Sequence, residues 1–584
     1  MTPPAGGGNG WLPDVLARRP LAPLLLLATT ILLWNLGGYG LWESTEARYA
    51  EIAARMVRSG DWITPRLNGI AHFDKPPLAY WASAAGMALL GIDEAAARLP
   101  LVLASLAGLA FVHRLGADLF GGRAARFAFL VLLSSPLWFG LSRSLTTDLW
   151  LTLWILIAVD AARRGSRPGA ARRWRVLAWA AVGAGFMTKG PVVFLWTALP
   201  LLAWAAWTRS WRRAARLADP AGVAAFALVA LPWYLVEAAR QPGLLGYWLG
   251  RQVEGRIATP YEGEREAWWA YLGTLAWAAW IWIVPAVAAL AALARDRARP
   301  GLRYLVAWVA VPLIAFSLFP TKRANYMLPA MPALALAAGW WWDRAIAGRA
   351  PGRRAIPIAL AGLAVAFGAA FAVAGLVVVD LPAAVSALGW LFGPLFALGG
   401  AAAWISARRG RLDLAFVGLL IPVLGLWVGL VTALGDPAVE AWSKISRPII
   451  GRIAAHRLDN EPIVNHHVWL RAIPFYLDER VITVDDEGRE TRFEDDERWR
   501  AYVFRGDSAF FRMMAEPGRR LAVVRRGSVD DIEQALGRPV AVLAADPRHA
   551  LITNRPSPAE EAAARASVSD PLPAAAARSG PPAP

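Results

Sequence analysis

Apolar stretches long enough to cross a bilayer, about 20 residues each, recur from Leu21 as far as Leu434. Inside a bilayer every backbone N–H and C=O must find a partner within the protein, so runs of this length are helices. Between alternate stretches lie arginine clusters: Arg18-Arg19; Arg114, Arg123 and Arg126; Arg163 through Arg175; Arg209 through Arg216; Arg295 through Arg303; Arg344 through Arg354; and Arg408 through Arg411. Clusters at every second turn follow the positive-inside rule and imply about 13 spans, with the N-terminus inside and everything after Thr432 outside. The run from about Leu21 to Leu36 is long for a signal-peptide core and lacks a small-residue cleavage site, so it reads as the first span.

Composition agrees with a membrane chain. Of 584 residues 57% are hydrophobic and only 18% charged, too apolar for a soluble protein of this size. The net charge of +17 is spread over short clusters between spans and forms no basic stripe, which excludes a nucleic-acid partner. The absence of cysteine rules out disulfides, thiolate zinc sites, iron–sulfur clusters and a cysteine nucleophile.

Four regions follow. Residues 1–20 are a disordered cytoplasmic lead, 21–434 the membrane sector, 435–555 a small α/β domain on the outer face, and 556–584 a disordered Ala/Pro/Ser tail. Strand-like pieces at Glu461–Asn465, Val481–Val484 and Leu521–Val524 support the α/β reading.

The first outer loop, about Leu41 to Pro77, contains WESTEARYAEIAARMVRSGDW and then FDKPPLAYW. Tyr49, Ile52, Ala53, Met56 and Val57 form an apolar stripe at helical spacing, with Arg48, Glu51, Arg55 and Arg58 opposite and Gly60 as a stop. That pattern suits a helix lying in the bilayer interface. A surface helix packed on the bundle, with Thr45 as cap and Glu46 facing the helix dipole, would carry the same stripe.

Lysine usage is more selective. Of 61 basic residues only four are lysine: Lys75, Lys189, Lys322 and Lys444. All fall on the side that the arginine clusters avoid, and three sit at span boundaries in FDKPP, MTKGP and PTKRANY. Snorkelling to headgroups would not favour Lys over Arg. A site that needs a compact ammonium would. Carboxylates join them on this face: Glu46, Asp74, Asp148 in SRSLTTDLW, and Glu254, Glu262, Glu264 and Glu266 in the loop from Glu237 to Trp268, which also carries Arg256. Asp148 could equally cap the helix that follows it, but ionisable residues near spans are functional candidates by default. Lys, Arg and carboxylate converging at the outer interface want an anionic, membrane-bound substrate, and a phosphate on a lipid fits. No P-loop, GxGxxG, HExxH or GxSxG string points to nucleotide, zinc-protease or serine-hydrolase chemistry.

GLWESTEARYAEIAARMVRSGDWITPRLNGIAHFDKPPLAYW, SRSLTTDLWLTLW, GFMTKGP, LPWY and FPTKRANYMLPAMPALAL resemble, in order over most of residues 35–340, the ArnT-like, bacterial protein-mannosyltransferase-related glycosyltransferases of the GT-C class. AIPFYL at Ala472–Leu477 adds to the resemblance. It implies about 13 spans, interfacial helices in the first outer loop, a small periplasmic domain, and an inner-membrane enzyme whose active site faces the periplasm. The sugar would pass from undecaprenyl phosphate to lipid A, another envelope glycolipid or a protein. The family motif Asp-Glu-x-Arg-Tyr-Ala carries its catalytic aspartate where this chain has Thr45, leaving Glu46 and Asp148 to share the acidic role. Arg48, Tyr49 and Tyr326, in the same strings, are candidates for contacts to the acceptor and the interface. Asp74-Lys75-Pro76 replaces the family's Glu-Lys-Pro. A single divalent metal ion is the one cofactor implied, with Asp74 and Glu262 as its ligands.

The chemistry expected is inverting. Lys75 and Lys189, with Arg256 or Lys322, would hold the carrier phosphate and stabilise the charge it gains on leaving. Asp148 or Glu46 would orient or deprotonate the acceptor, or balance charge on the sugar. A ligase or polymerase using lipid-diphosphate glycans would share the basic pocket without needing the Lys75 string. A flippase would place ionisable groups at mid-bilayer.

Overall fold

A computed structural model describes residues 21–43, 45–254, 266–378, 381–458, 461–484, 501–558 and 560. The lead, residue 559 and residues 561–584 of the tail, Arg256 and Glu262 lie outside the described residues. The chain divides into two compact units. One takes residues up to Tyr39, Ile52–Pro65 and His72–Val439; the other takes Gly40–Glu51, Arg66–Ala71 and the chain from Glu440.

The first unit is helical. Among the described residues seven helices are long and apolar enough to cross a membrane: Glu94–Phe120, Pro220–Arg240, Ala270–Arg295, Pro300–Ser317, Ala355–Val377, Ala383–Arg408 and Leu412–Ala433. Ala22–Leu33, Leu78–Leu90 and Val192–Thr208 are shorter apolar helices. In Pro220–Arg240, Leu228 and Leu235 are 75% and 66% exposed, as a lipid-facing surface requires. Between helices, small residues allow close approach: a methyl group on Gly399 would lie 2.5 Å from the carbonyl oxygen of Gly418.

Two buried arginines close the end of the first helix, whose last carbonyls have no intrahelical partner. Arg143 donates to the carbonyls of Leu32 and Trp34. Arg98 donates to Leu36 and Tyr39, at 2.8 and 3.0 Å, with its guanidinium 4.0 Å from the Tyr39 ring. A planar fork with several donors suits this task better than a lysine.

The second unit is built on a six-stranded sheet. Its strands are β3 (Ile463–His466), β4 (Val481–Val484), β5 (Val503–Phe504), β6 (Leu521–Arg525), β7 (Ala541–Ala545) and β8 (His549–Thr553), in the order β5-β4-β3-β6-β8-β7. The first four in that order run parallel, and β8 and β7 close one edge antiparallel. Val464, Val484, Phe510, Met514, Ala522 and Ile532 form its core.

The first outer loop carries the expected helix, Thr45–Ser59. Of the predicted stripe, Tyr49, Ile52, Ala53 and Met56 are buried and Val57 half-buried; on the opposite face Glu51 is fully buried, while Arg48, Arg55 and Arg58 are half-buried, and Glu46 at the helix start is nearly fully buried. The segment that follows is a two-residue hairpin, β1 (Arg66–Leu67) and β2 (Ile70–Ala71). Asn68 and Gly69 occupy its turn with φ of 52° and 83°, the conformation for which Asn-Gly is favoured. The Asn68 side chain then pairs with the backbone of Val481, donating at 2.8 Å and accepting at 2.9 Å.

Candidate active site

In the first unit, the helix Arg172–Lys189 ends because Gly190 adopts φ 70° and Pro191 follows. The backbone there is in the left-handed half of conformational space, which glycine enters at least cost. Lys189 thus stands at the negative pole of its helix. The helix Thr147–Gly165 begins with Asp148 in its first turn, at the positive pole. Each charge sits where the helix dipole favours it, and the two meet: the Lys189 ammonium donates to Asp148 Oδ1.

Asp148 is 2% exposed. Its other oxygen accepts from Asn325 Nδ2 at 2.6 Å. Thr146, and not Asp148, occupies the cap position, so the carboxylate serves side chains rather than the helix end. Asn325 and Tyr326 ride on the 3₁₀ turn Ala324–Ala330, and the Lys189 ammonium lies 4.5 Å from the Tyr326 ring centre. Sequence reasoning had included Asp148, Lys189 and Tyr326 and missed Asn325, although it stands in the PTKRANY string.

Lys322 is directed elsewhere. It is 6% exposed, and its ammonium donates to the carbonyls of Phe319 and Glu266 at 2.9 and 3.2 Å. That anchors the turn carrying Asn325.

Lys75 and Asp74 lie half-buried in the loop before Leu78–Leu90. Lys75 donates to the Asp74 carbonyl at 2.8 Å, and Asp74 accepts from the Tyr247 hydroxyl. An aromatic floor supports this loop: Trp248 donates to the Phe73 carbonyl at 3.2 Å and stacks edge-on with Phe73 and Tyr234. Trp233 donates to the Ile63 carbonyl at 2.8 Å, and Thr64 donates to Glu237 at 2.7 Å. The pairing of Thr64 with Glu237 and of Tyr247 with Asp74 was not readable from the sequence, since about 170 residues separate each pair. Asp74 belongs to no group of three or more potential metal ligands among the described residues.

Glu46, Arg48 and Tyr49 belong to the second unit. Glu46 accepts from the Trp42 N–H at 3.1 Å, reaching back over the helix start. The same motif contains a carboxylate that sequence reasoning passed over. Glu43 accepts from Ser446 Oγ at 2.8 Å and from the backbone N–H groups of Ala472 and Arg471, both at 3.1 Å. Burial pushes its carboxyl above the usual range, opposed by Arg471 and these hydrogen bonds. Ala472 opens the AIPFYL segment and Arg471 precedes it, so the first-loop string and AIPFYL were the signal for this contact.

A cavity of about 500 Å³ lies at the arginine-bearing ends of the same helices, lined by Trp204, Tyr304 and Trp308 with Arg163 and Arg167 beside them. Neither Asp148 nor Lys189 lines it.

A family model described as dolichyl-phosphate-mannose-protein mannosyltransferase matches residues 74–235. The undecaprenyl phosphate-alpha-4-amino-4-deoxy-L-arabinose arabinosyl transferase of Pseudomonas aeruginosa PAO1 is 32% identical over 56% of this chain. That of Edwardsiella ictaluri is 33% identical over 54%. The chain spans about 60% of the length of these curated relatives. The crystal structure of ArnT from Cupriavidus metallidurans bound to undecaprenyl phosphate aligns over 94% of this chain and 99% of its own, with TM-score 0.77 and 26% identity. The apo form of that protein aligns over 92% and 98%, with TM-score 0.77 and 25% identity.

Proposed function

We propose that this chain, ArnT-like in sequence and with the GT-C membrane-helical fold, is a glycosyltransferase that takes its sugar from a polyprenyl phosphate. Its acceptor on the outer face is lipid A, another envelope glycolipid or a protein. The observation that carries the reading is the buried Lys189–Asp148–Asn325 constellation, in a chain that aligns over nearly its whole length with a protein holding undecaprenyl phosphate. The topology proposed is about 13 spans in the inner membrane, with Lys75, Lys189 and the sheet-bearing unit on the periplasmic side.

In this mechanism the sugar's anomeric carbon is attacked opposite the carrier phosphate, which leaves with the bonding electron pair, so configuration inverts. Lys189, and Lys75 from its loop, supply positive charge where the leaving phosphate gains negative charge. Asp148 holds Lys189 in place and, with Asn325 fixing its second oxygen, faces the positive charge that develops on the sugar. Arg256 adds a cation from the long loop. From the first-loop motif, Glu46, with Arg48 and Tyr49, is proposed for the acidic and acceptor-binding roles. Asp74 and Glu262 are the ligands proposed for a divalent ion. Lys189 and Asp148 meet at an end of their helices rather than at mid-span, which favours an enzyme over a flippase.

The test is direct. Purified chain in detergent is given a polyprenyl-phosphate sugar and an envelope lipid extract, and products are read by mass spectrometry. Mass shifts of one sugar that require the carrier support the reading. Transfer that proceeds only from lipid-diphosphate glycans would replace it with the ligase.

A further inference from the structure

We infer that the second unit carries a metal-binding site of its own, formed by His466, His467 and Asp507 and suited to zinc. The ligand atoms of these three side chains lie within 4.8 Å of one another. His466 Nε2 is 2.9 Å and His467 Nε2 2.7 Å from the same oxygen of Asp507. Four-coordinate zinc, with bonds of about 2.0–2.2 Å, sets its ligand atoms roughly 3.3 Å apart, so a small outward shift of each group admits the ion.

The backbone is bent to achieve this. Successive residues of a strand point to opposite faces, so adjacent histidines cannot normally address one point. His466 ends β3, and His467 leaves the strand in the left-handed region, with φ 52°, a conformation uncommon outside glycine in which Asn, Asp and His are the residues most often found. That turn brings both rings to one side, with centroids 4.2 Å apart. Strained residues of this kind cluster where a ligand is held.

Supporting contacts fix the orientation. The His466 ring stacks on Phe510, with centroids 3.8 Å apart and planes at 10°, and only 4% of its side chain is exposed. Asp507 opens the helix Asp507–Ala515 after Gly506 at φ 77°. The site also stands at the carboxyl end of β3, where the parallel strand order reverses: β4 and β5 lie to one side and β6 to the other. That crevice is where open α/β sheets place ligands. Asp507 and His467 are 48% and 33% exposed. Two imidazoles and one carboxylate, with no thiolate anywhere in the chain, fit zinc better than a soft thiophilic ion or a hard oxygen-seeking one. Bound there, the ion would tie the end of β3 to the start of the Asp507 helix.

The experiment uses the full chain in detergent, purified without a histidine tag, stripped with chelator and titrated with zinc against a chromophoric competitor. One zinc per chain, separate from any divalent ion at Asp74 and Glu262, should bind and raise the unfolding temperature. His467→Asn keeps a residue that tolerates the left-handed turn, and Asp507→Asn keeps the shape of an exposed side chain, so both should fold. Each should weaken zinc at least about tenfold, the lower end of what a supporting residue alone contributes, and abolish the thermal shift. No uptake by the wild type at micromolar zinc, or uptake by both variants as tight as the wild type, would overturn the site.

Discussion

The two ends of the helices in the first unit solve the problem of charge near a membrane in opposite ways. At the arginine end the ion pairs are redundant and partly exposed. Asp160 accepts from Arg114, Arg163 and Arg164. Asp219 accepts from Arg172 and Arg175, and Arg175 foremost, with Arg172, holds its carboxyl down to about 2 against the effect of burial. At the lysine end the Lys189 ammonium meets the Asp148 carboxylate, both almost wholly enclosed, with the Asn325 amide and the Tyr326 ring as their further partners among the described residues. Redundant pairs on flexible, hydrated side chains fix topology and tolerate loss. An enclosed pair of this kind is poor glue, because desolvation opposes its attraction, which fits the chemistry proposed for it.

Breaking the enclosed pair should have the largest effect. Lys189→Met leaves Asp148 buried without its cation, a loss of about 3–5 kcal/mol of stability, and transfer should fall below detection. The double variant Asp148→Asn/Lys189→Met removes both charges and should recover most of the thermal stability without recovering transfer. Recovery of both would make the pair structural and erase the contrast between the two ends.

Glu43 gives a smaller effect in the second unit. Its carboxyl titrates above its ordinary value of 4.5, so the folded state binds its proton more tightly than the unfolded state. The resulting stabilisation is present below about pH 4.5 and is lost as pH rises through the folded-state value. Glu43→Gln keeps one oxygen for Ser446 and Ala472 and should flatten this slope in thermal unfolding of the full chain. An unchanged slope would assign the pH dependence to another group.

The smallest effect is expected at the arginine end. Arg172 is 60% exposed and shares Asp219 with Arg175. Arg172→Ala should leave transfer within about twofold of wild type. A large loss there would mean that this end, with its cavity, takes part in catalysis.

Legibility in the sequence followed the range of the interactions. The seven long apolar helices announce themselves through local hydropathy, and the lysines through their scarcity beside arginine. Val481–Val484 matches an expected strand residue for residue, because apolar alternation is local. Asn325, Glu43 and Tyr247 were missed because their roles depend on partners 177, 403 to 429 and 173 residues away. The outer-loop helix shows the converse. Its stripe predicted one buried face correctly, but a pattern of polar residues does not reveal that Glu51 is enclosed too. The His466-His467 pair carried no spacing signal, since adjacent residues share a target only after the backbone turns left-handed.

The claim that the lysine end grips the carrier phosphate rests most directly on Lys75. Initial rates should be measured in detergent over a range of polyprenyl-phosphate sugar for wild type, Lys75→Ala and Lys75→Arg. Loss of a charge-assisted hydrogen bond, about 1.5–3 kcal/mol, predicts a ten- to hundredfold fall in kcat/KM for Lys75→Ala. Lys75→Arg should remain well below wild type, because a longer, flat cation does not replace a compact ammonium beside Asp74 and Pro76. Wild-type values in both variants would contradict the account.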